Sequence, residues 1–250
     1  MAKHKTDIIF GMHAVESVLR SHPEQVLQLW VQAGRKDKRI QTILGLAGRQ
    51  GISVETVSRD ALQKKSADSK HQGVLAFVRA GGRSQPGLKE ILEKQDLLLL
   101  VLDGVQDPHN LGACLRTADA CGADAVIVSK NRSPGLTAVV RNVASGAAET
   151  TPFIQVSNLV RALQQFKDND VWVVGAAGGA GTSLYESSPG KRLAVVMGSE
   201  GQGLRRLTAE NCDELVYIPM QGHVESLNVS VATGICLFEY RRKLLAQHAT

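Results

Sequence analysis

The feature that most constrains this fold is an unbroken apolar run, residues 97–102, which ends in Asp103. A strand with one wet face alternates apolar and polar residues, whereas a run without alternation is typical of a strand buried on both faces. Four further apolar runs follow it, at residues 125–128, 171–174, 193–197 and 215–218. Together they predict an α/β fold with a five-stranded, mostly parallel, doubly wound sheet.

Segments with helical periodicity separate these runs. We predict helices at residues 111–121, 136–148, 159–166 and 204–210, and a last helix from about residue 226 to residue 246. The last helix is predicted to carry one apolar stripe, formed by Leu227, Val231, Ile235 and Phe238. Such a stripe packs either inside the chain or against a second copy.

The first part of the chain predicts a separate, smaller α/β unit. Its strands are expected at residues 26–31, 52–57 and 73–78, and its helices at residues 12–20, 37–49 and 61–65. Residues 80–87 are rich in Gly, Ser and Pro, a composition typical of a linker. We therefore expect a first domain at residues 1–79, a linker at residues 80–96 and a second domain at residues 97–250.

The two predicted domains differ in charge. Residues 1–95 carry 16 Lys and Arg against 9 Asp and Glu, a net charge of +7, whereas residues 96–250 carry 13 against 15, a net charge of −2. A basic first part favours contact with a polyanion, either RNA or DNA. Candidate contacts with its backbone are Lys64, Lys65, Lys70 and His71. A solvated, lysine-rich surface explains the same charge equally well.

Composition argues against several classes of protein. Hydrophobic residues make up 43% of the chain, but no apolar run approaches the length of a membrane span, so we expect a soluble protein without a membrane partner. The N-terminal apolar segment is too short for a signal peptide, which predicts a cytoplasmic location. The four cysteines form no Cys-x-x-Cys pair, so we expect reduced, mostly buried thiols and no metal site.

Polar and glycine-rich segments follow the predicted strands of the second domain. Ligands of parallel α/β sheets bind beyond the carboxyl ends of the strands, so these segments mark the expected site. They cover residues 103–116, 175–181, 198–203 and 219–230. The glycines of residues 175–181 do not fit the Gly-x-Gly-x-x-Gly spacing of dinucleotide-binding loops, although an oxidoreductase that binds NADH stays open as an alternative.

Three of these segments together resemble the three motifs of the SpoU family, the RNA ribose 2'-O-methyltransferases of the SPOUT superfamily. They read Asp107-Pro-His-Asn-Leu-Gly with Arg116, then Met197-Gly-Ser-Glu-Gly-x-Gly-Leu, then Ile218-Pro-Met with Ser226-Leu-Asn-Val-Ser. The first domain carries Phe10-Gly-x-His-Ala-Val and His71-Gln-Gly. It resembles the RNA-binding domain of the branch that methylates a guanosine of bacterial 23S rRNA.

The resemblance implies a fold, a cofactor and partners. The first domain would be similar to ribosomal proteins of the L30e type, and the second would be a SPOUT-type parallel sheet with a C-terminal trefoil knot. Members bind S-adenosylmethionine in the knot and form homodimers. By motif match, Gly198, Ile218 and Leu227 would bind the cofactor, largely through backbone groups. The implied substrate is 23S rRNA, during ribosome maturation; the alternatives are another RNA, for example tRNA, or RNA binding without catalysis.

The same motif match implies that Arg116, Asn110, Glu200 and Asn228 are catalytic. A ribose 2'-hydroxyl is a poor nucleophile until its proton leaves, and the family assigns Arg116 a catalytic role, sometimes as the base. Because an arginine stays protonated at neutral pH, we favour Arg116 as a phosphate clamp and an electrostatic stabiliser of the alkoxide. The other three residues, with Ser226, would orient Arg116 and the ribose.

Two loop histidines, His109 and His223, are candidate proton relays, because imidazole titrates near neutral pH. A loop histidine without any role is the more common case.

Overall fold

The computed structural model describes residues 6–66, 71–79, 86–188 and 190–248. The chain divides into two compact units. One contains Met1–Gln85 with Leu136–Thr150, and the other contains Pro86–Gly135 with Thr151–Thr250. Lys70 and the first part of the predicted linker, residues 80–85, lie outside the described residues.

The first unit is built on a four-stranded sheet. In chain order its elements are β1 (Thr6–Phe10), α1 (Met12–Ser21), a 3-10 turn (Pro23–Gln25), β2 (Val26–Gln32), α2 (Lys38–Arg49), β3 (Val54–Val57), α3 (Arg59–Ser66) and β4 (Val74–Arg79). The strand order is β1-β4-β2-β3, in which only β2 and β3 are parallel. The three predicted strands and three predicted helices are present, and β1 is a further strand.

The remaining elements continue along the chain. They are α4 (Leu88–Leu92), β5 (Leu97–Asp103), α5 (Pro108–Cys121), β6 (Ala125–Ser129), α6 (Ala138–Ala144), α7 (Ala147–Thr150), β7 (Phe153–Val156), α8 (Leu159–Lys167), β8 (Trp172–Ala176), β9 (Thr182–Ser183), β10 (Arg192–Gly198), α9 (Arg206–Glu210), β11 (Glu214–Tyr217) and α10 (Val229–His248). All except α6 and α7 belong to the second unit.

The second unit contains a seven-stranded, entirely parallel sheet with the order β7-β6-β5-β10-β8-β11-β9. Every residue of β5 is buried, as its unbroken apolar run predicts. One face of β5 packs in a cluster with residues of α4 and α8, while α10 packs against α5 and β10. The α/β, parallel-sheet fold is therefore confirmed.

The prediction of five strands was wrong, because neither missed strand is an apolar run: Gln155 interrupts the apolar residues of β7, and β9 consists of only Thr182 and Ser183. The trefoil knot stays a prediction of the resemblance, since strand order alone does not define how a chain is threaded.

The predicted helix at residues 136–148 is two helices, α6 and α7. The chain turns between them at Ser145 and Gly146, whose φ angles are +52° and +101°. A Cβ atom added to Gly146 would lie 2.5 Å from the Cβ of Ser17 on α1, so this close approach requires glycine. Both helices pack with α1 in the first unit, a long-range contact that periodicity does not reveal.

The last helix begins at Val229, three residues later than predicted, and its two faces differ. Its buried side chains include Cys236, Leu237, Tyr240 and Leu244. The predicted stripe is not the buried face. Leu227 precedes the helix, Ile235 is half-buried, and Val231 and Phe238 are 51% and 50% exposed. No helix among the described residues is long and apolar enough to span a membrane.

Candidate active site

The site lies beyond the carboxyl ends of neighbouring strands in the second unit. In the pairing of β5 with β10, Asp103 lies opposite Gly198, so the loops that follow the two strands leave the sheet side by side. Asp107 caps α5 by accepting a hydrogen bond from the backbone N–H of His109 at 3.1 Å. This cap places Asn110 in the first turn of the helix, at the edge where ligands of such sheets bind.

Asn228 connects the three sequence motifs. Its Nδ2 donates to Asn110 Oδ1 at 2.9 Å and to Glu200 Oε1 at 2.5 Å. Its Oδ1 accepts from the backbone N–H of Ser230 at 2.9 Å and from the Ser230 hydroxyl at 2.6 Å. Asn228 is therefore the N-cap of α10. It also links Asn110 to Glu200, although Asn110 lies 118 positions before Asn228 in the chain.

The four bonds use the whole capacity of the Asn228 side chain, because an amide has two N–H donors and an oxygen with two lone pairs. The Nδ2 of Asn110 and the Oε2 of Glu200 make none of these bonds. Asn110 is buried and Glu200 is exposed. The arrangement thus holds an amide donor and a carboxylate oxygen at fixed positions, where both can bind further groups.

Arg116 lies on the exposed surface of α5. It is six residues beyond Asn110, which corresponds to about 9 Å along the helix axis. The structure thus brings Asn110, Glu200 and Asn228 together by hydrogen bonds and puts Arg116 one to two turns farther along α5. Its catalytic role stays a prediction.

Gly198 closes a tight loop at the end of β10. A Cβ atom added to Gly198 would lie 2.1 Å from the carbonyl carbon of Gly203, so no other residue fits this backbone. Ser199 and Gly203 exchange two backbone hydrogen bonds, of 3.1 and 2.9 Å, across the loop. The glycine required here is one of the residues predicted to bind the cofactor.

Ile218 and Leu227 are half-buried and bracket the segment between β11 and α10. Within the described parts of the chain, residues 218–227 make no backbone–backbone hydrogen bond. The C=O groups of this segment, and its N–H groups except at Pro219, make no such bond, which suits recognition of a cofactor through backbone groups. Gly222, in this segment, has no heavy atom within 4 Å of its Cβ position, so the surroundings are open.

Gly175 has a different role from the one that an NADH-binding loop would require. A Cβ atom there would lie 2.7 Å from Leu204 Cδ1 and 2.8 Å from both Cys212 Sγ and Leu215 Cδ2. The glycine therefore permits close packing beneath the sheet. Its neighbours Gly178, Gly179 and Gly181 face open space.

The other sequence candidates divide by exposure. Ser226, His109 and His223 are exposed, and their roles stay predictions. His71 is only 3% exposed, and its Nδ1 accepts the backbone N–H of Gly73 at 3.0 Å. Burial, aided by the charges of Arg59 and Arg35, lowers the pKa of His71, so it is not the exposed cation that contact with an RNA backbone needs.

The cysteines are free thiols, and Cys114 lies close to the site. It is buried between α5 and α10, with its Sγ 3.5 Å from the hydroxyl oxygen of Thr233. Burial raises the pKa of Cys114 to about 11, and the negative charge of Glu200 adds to the effect. The thiol therefore stays protonated at neutral pH.

Sequence reasoning assigned no role to Asp103 and Arg205, which form an ion pair with 3.0 Å between Arg205 Nη2 and Asp103 Oδ1. The available signal was a carboxylate at the end of an otherwise apolar strand, a position at which a charge needs a partner.

Comparison with known proteins identifies the family. Residues 97–238 match the model of the SpoU rRNA Methylase family, and residues 8–81 match that of the RNA 2'-O ribose methyltransferase substrate-binding domain. The chain belongs to the SpoU rRNA methylase family. This membership disfavours the oxidoreductase alternative.

Relatives within the SpoU family match along almost the whole chain. The 23S rRNA (guanosine-2'-O-)-methyltransferase RlmB of Haemophilus influenzae is 55% identical over 240 residues, which are 95% of this chain and 98% of that protein. A crystal structure of an RNA 2'-O ribose methyltransferase is 28% identical, with a TM-score of 0.83 over 97% of this chain and 90% of that one.

A more distant structure shares the fold. It is the SpoU methyltransferase AviRb from Streptomyces viridochromogenes in complex with AdoMet, 20% identical, with a TM-score of 0.77 over 96% of this chain and 91% of that one.

Proposed function

We propose that this protein transfers a methyl group from S-adenosylmethionine to the ribose 2'-hydroxyl of a guanosine in 23S rRNA. The observation that carries the proposal is the hydrogen-bonded group Asn110, Glu200 and Asn228, in which each residue comes from a different SpoU motif. The substrate is inferred from the relatives named for this activity, which match the chain at 55% identity over almost its full length. We infer from this substrate that the reaction occurs in the cytoplasm.

The edge of the sheet fits S-adenosylmethionine. The tight turn at Gly198 and the backbone groups of residues 218–227 lie at the carboxyl ends of β10 and β11, where ligands of parallel sheets bind. The cofactor supplies an electrophilic methyl group on a sulfonium. We infer that Gly198, Ile218 and Leu227 hold it through their backbones and that the side chains of Ile218 and Leu227 contribute apolar contacts.

The polar residues prepare the hydroxyl for attack. Asn228 fixes Asn110 and Glu200, so that Asn110 Nδ2 can donate to the ribose or phosphate while Glu200 Oε2 accepts a hydrogen bond from the hydroxyl or from Arg116. As the hydroxyl gives its proton to solvent, negative charge grows on its oxygen. The guanidinium of Arg116 stabilises that charge and clamps the adjacent phosphate, as preorganised charge does in other enzymes.

The buried thiol of Cys114 does not compete for the methyl group. A thiol attacks a sulfonium methyl only as thiolate, and a pKa of about 11 leaves almost none of that form at neutral pH.

The first unit supplies RNA affinity in this proposal. It matches the substrate-binding family model and carries most of the positive charge of the chain. Exposed lysines on two of its helices, Lys38 on α2 and Lys64 and Lys65 on α3, with Lys36 just before α2, suit contact with phosphates.

We also propose that two copies associate through the outward face of α10. Val231, Phe238 and Leu245 follow one another at intervals of seven residues and are 51%, 50% and 61% exposed. A stripe with a seven-residue spacing is the pattern that packs against a second helix. Covering it in a homodimer removes apolar surface from water.

The test is methyl transfer to rRNA, followed by mapping of the modified nucleotide in rRNA from cells with and without the gene. We expect one 2'-O-methylguanosine of 23S rRNA to disappear when the gene is deleted. Modification of tRNA instead would redirect the proposal to another RNA. RNA binding with no methyl transfer to either would mean that the protein only binds RNA.

A further inference from the structure

The carboxylate of Asp103 is a charge buried at the last position of β5. Its side chain has no exposed surface, and the six residues before it are all apolar. Burial of a carboxylate is unfavourable unless a partner compensates for the lost hydration. If this position only filled the core, an apolar residue there would stabilise the fold without burying a charge.

Both oxygens of this carboxylate face Arg205. Oδ2 accepts the backbone N–H of Arg205 at 3.1 Å, and Oδ1 lies 3.0 Å from its Nη2. The second contact has the distance of an ion pair but not the alignment of a hydrogen bond, so Oδ1 has no hydrogen-bond partner in the described part of the chain. A Cβ atom on Gly104 would lie 3.0 Å from Nη2, so a glycine at this position makes room for the guanidinium.

Through Asp103, this contact connects the two ends of the loop that carries the second SpoU motif, residues 197–204. The loop begins at Gly198, the β10 residue paired with Asp103, and it ends at Arg205, the N-cap position of α9. Between them, Glu200 reaches Asn228. The loop is therefore held at its exit by Asp103 and at its tip by Asn228.

We propose that Asp103 and Arg205 are positioning residues that fix the loop of residues 199–204, and with it the Gly198 turn and the Glu200 carboxylate, before any ligand binds. The cofactor part of this inference rests on the proposed function, whereas the effect on the free protein does not. Neither residue touches the reacting atoms in this role. They act through the loop that does.

The experiment compares Asp103→Asn, Arg205→Gln, Arg205→Lys and the double variant Asp103→Asn/Arg205→Gln in the full-length protein. The control is Arg206→Gln, since Arg206 is the next residue and pairs with the exposed Glu210 on the same helix. Three quantities are measured: amide hydrogen exchange of residues 199–204 without ligand, the dissociation constant for S-adenosylmethionine by calorimetry, and the melting temperature.

We expect faster exchange in the loop and cofactor binding weaker on the order of tenfold in Asp103→Asn and Arg205→Gln. The double variant should bind the cofactor no more weakly than the weaker single variant, because each single substitution already removes the ion pair. Arg205→Lys should recover part of the loss, since it keeps the charge and the backbone bond. Arg206→Gln should match the wild type in all three quantities.

Unchanged exchange and unchanged affinity, with only a lower melting temperature, would reduce the pair to a structural contact and overturn the proposal. If the losses of cofactor affinity in the two single variants add up in the double variant, the proposal is also overturned. Additive losses would show that the two residues act independently. If Asp103→Asn does not fold, the two Arg205 variants decide, since that side chain is 36% exposed. A wild-type protein that binds no S-adenosylmethionine would sink the proposed function, and the exchange measurement would still test the loop.

Discussion

The two units of this protein use the same α/β architecture for different physical purposes. The second unit has an all-parallel sheet, so every strand points its carboxyl end at the same edge, and three separate motifs meet there. The first unit has a mixed sheet, and its functional candidates are exposed lysines spread over two helices. In the proposed function, one unit therefore depends on the geometry of a few hydrogen bonds, and the other on the sum of many charges.

This difference predicts two kinds of response to mutation. A single change at the edge of the parallel sheet should lower the rate of methyl transfer by orders of magnitude, because misplacing one group affects the transition state directly. A single change among the lysines should only weaken binding by degrees, since each phosphate contact contributes a small part of the affinity.

The largest effect is expected for Arg116→Ala. Loss of a positive charge that stabilises the alkoxide should reduce the rate of methyl transfer on the order of 10²–10³-fold, while cofactor affinity and stability are unchanged. Single-turnover kinetics with saturating rRNA measure the rate, and calorimetry measures cofactor binding. A near-normal rate would falsify both roles considered for Arg116.

Arg116→Lys distinguishes those two roles. If Arg116 is a two-pronged phosphate clamp, lysine keeps the charge, loses the fork and recovers only part of the rate. If Arg116 is the general base, lysine has the lower pKa, so the rate of the variant should increase as the pH rises. A pH–rate profile of the variant decides between them.

The second effect concerns Asn228, which both caps α10 and holds Asn110 and Glu200. Asn228→Ala should lower the rate by about 10²-fold through misplacement of those groups and should also cost about 1 kcal/mol of stability through the lost cap. Asn228→Ser is the matched control, since serine caps a helix well but is too short to reach both partners. We expect it to restore the melting temperature without restoring the rate; recovery of both would show that only the cap matters.

The third effect concerns the outward face of α10. Phe238→Ser should weaken the dimer, because covering a half-exposed phenylalanine contributes about 1 kcal/mol per copy, or ~30-fold in the dissociation constant for two copies. Analytical ultracentrifugation measures this constant. Leu207→Ser removes an apolar side chain of similar exposure on α9 and should leave assembly unchanged. A wild-type protein that is monomeric at micromolar concentration contradicts the proposed dimer.

The smallest effect is expected in the first unit. Lys64→Gln with Lys65→Gln should weaken rRNA binding several-fold and reduce the slope of log affinity against log salt by about 0.7 per lost contact. The rate at saturating rRNA should not change. The control removes two exposed charges from the second unit, Lys89→Gln with Arg161→Gln. If the control pair weakens binding as much as the lysine pair, the charge difference between the units is not what locates the RNA.

Sequence reasoning was most successful where the signal was local. The burial of β5 follows from its unbroken apolar run, and the three motifs were recognised because their residue types and spacing are specific. It was least successful for β7 and β9, which contain no unbroken apolar run. For α10 it identified an apolar stripe but not the face that the chain buries, because Cys236, Leu237, Tyr240 and Leu244 supply a second apolar face.

The sequence by itself determined the alternation of strands and helices and the polar and glycine-rich segments that follow the strands. Only the tertiary structure decided which of those residues meet. Asn228 reaches Asn110 across 118 positions, Asp103 reaches Arg205 across 102, and Ser17 reaches Gly146 across 129. The physical reason is that periodicity reports the environment of one element, whereas these contacts depend on strand order and register, which bring distant loops to a common edge.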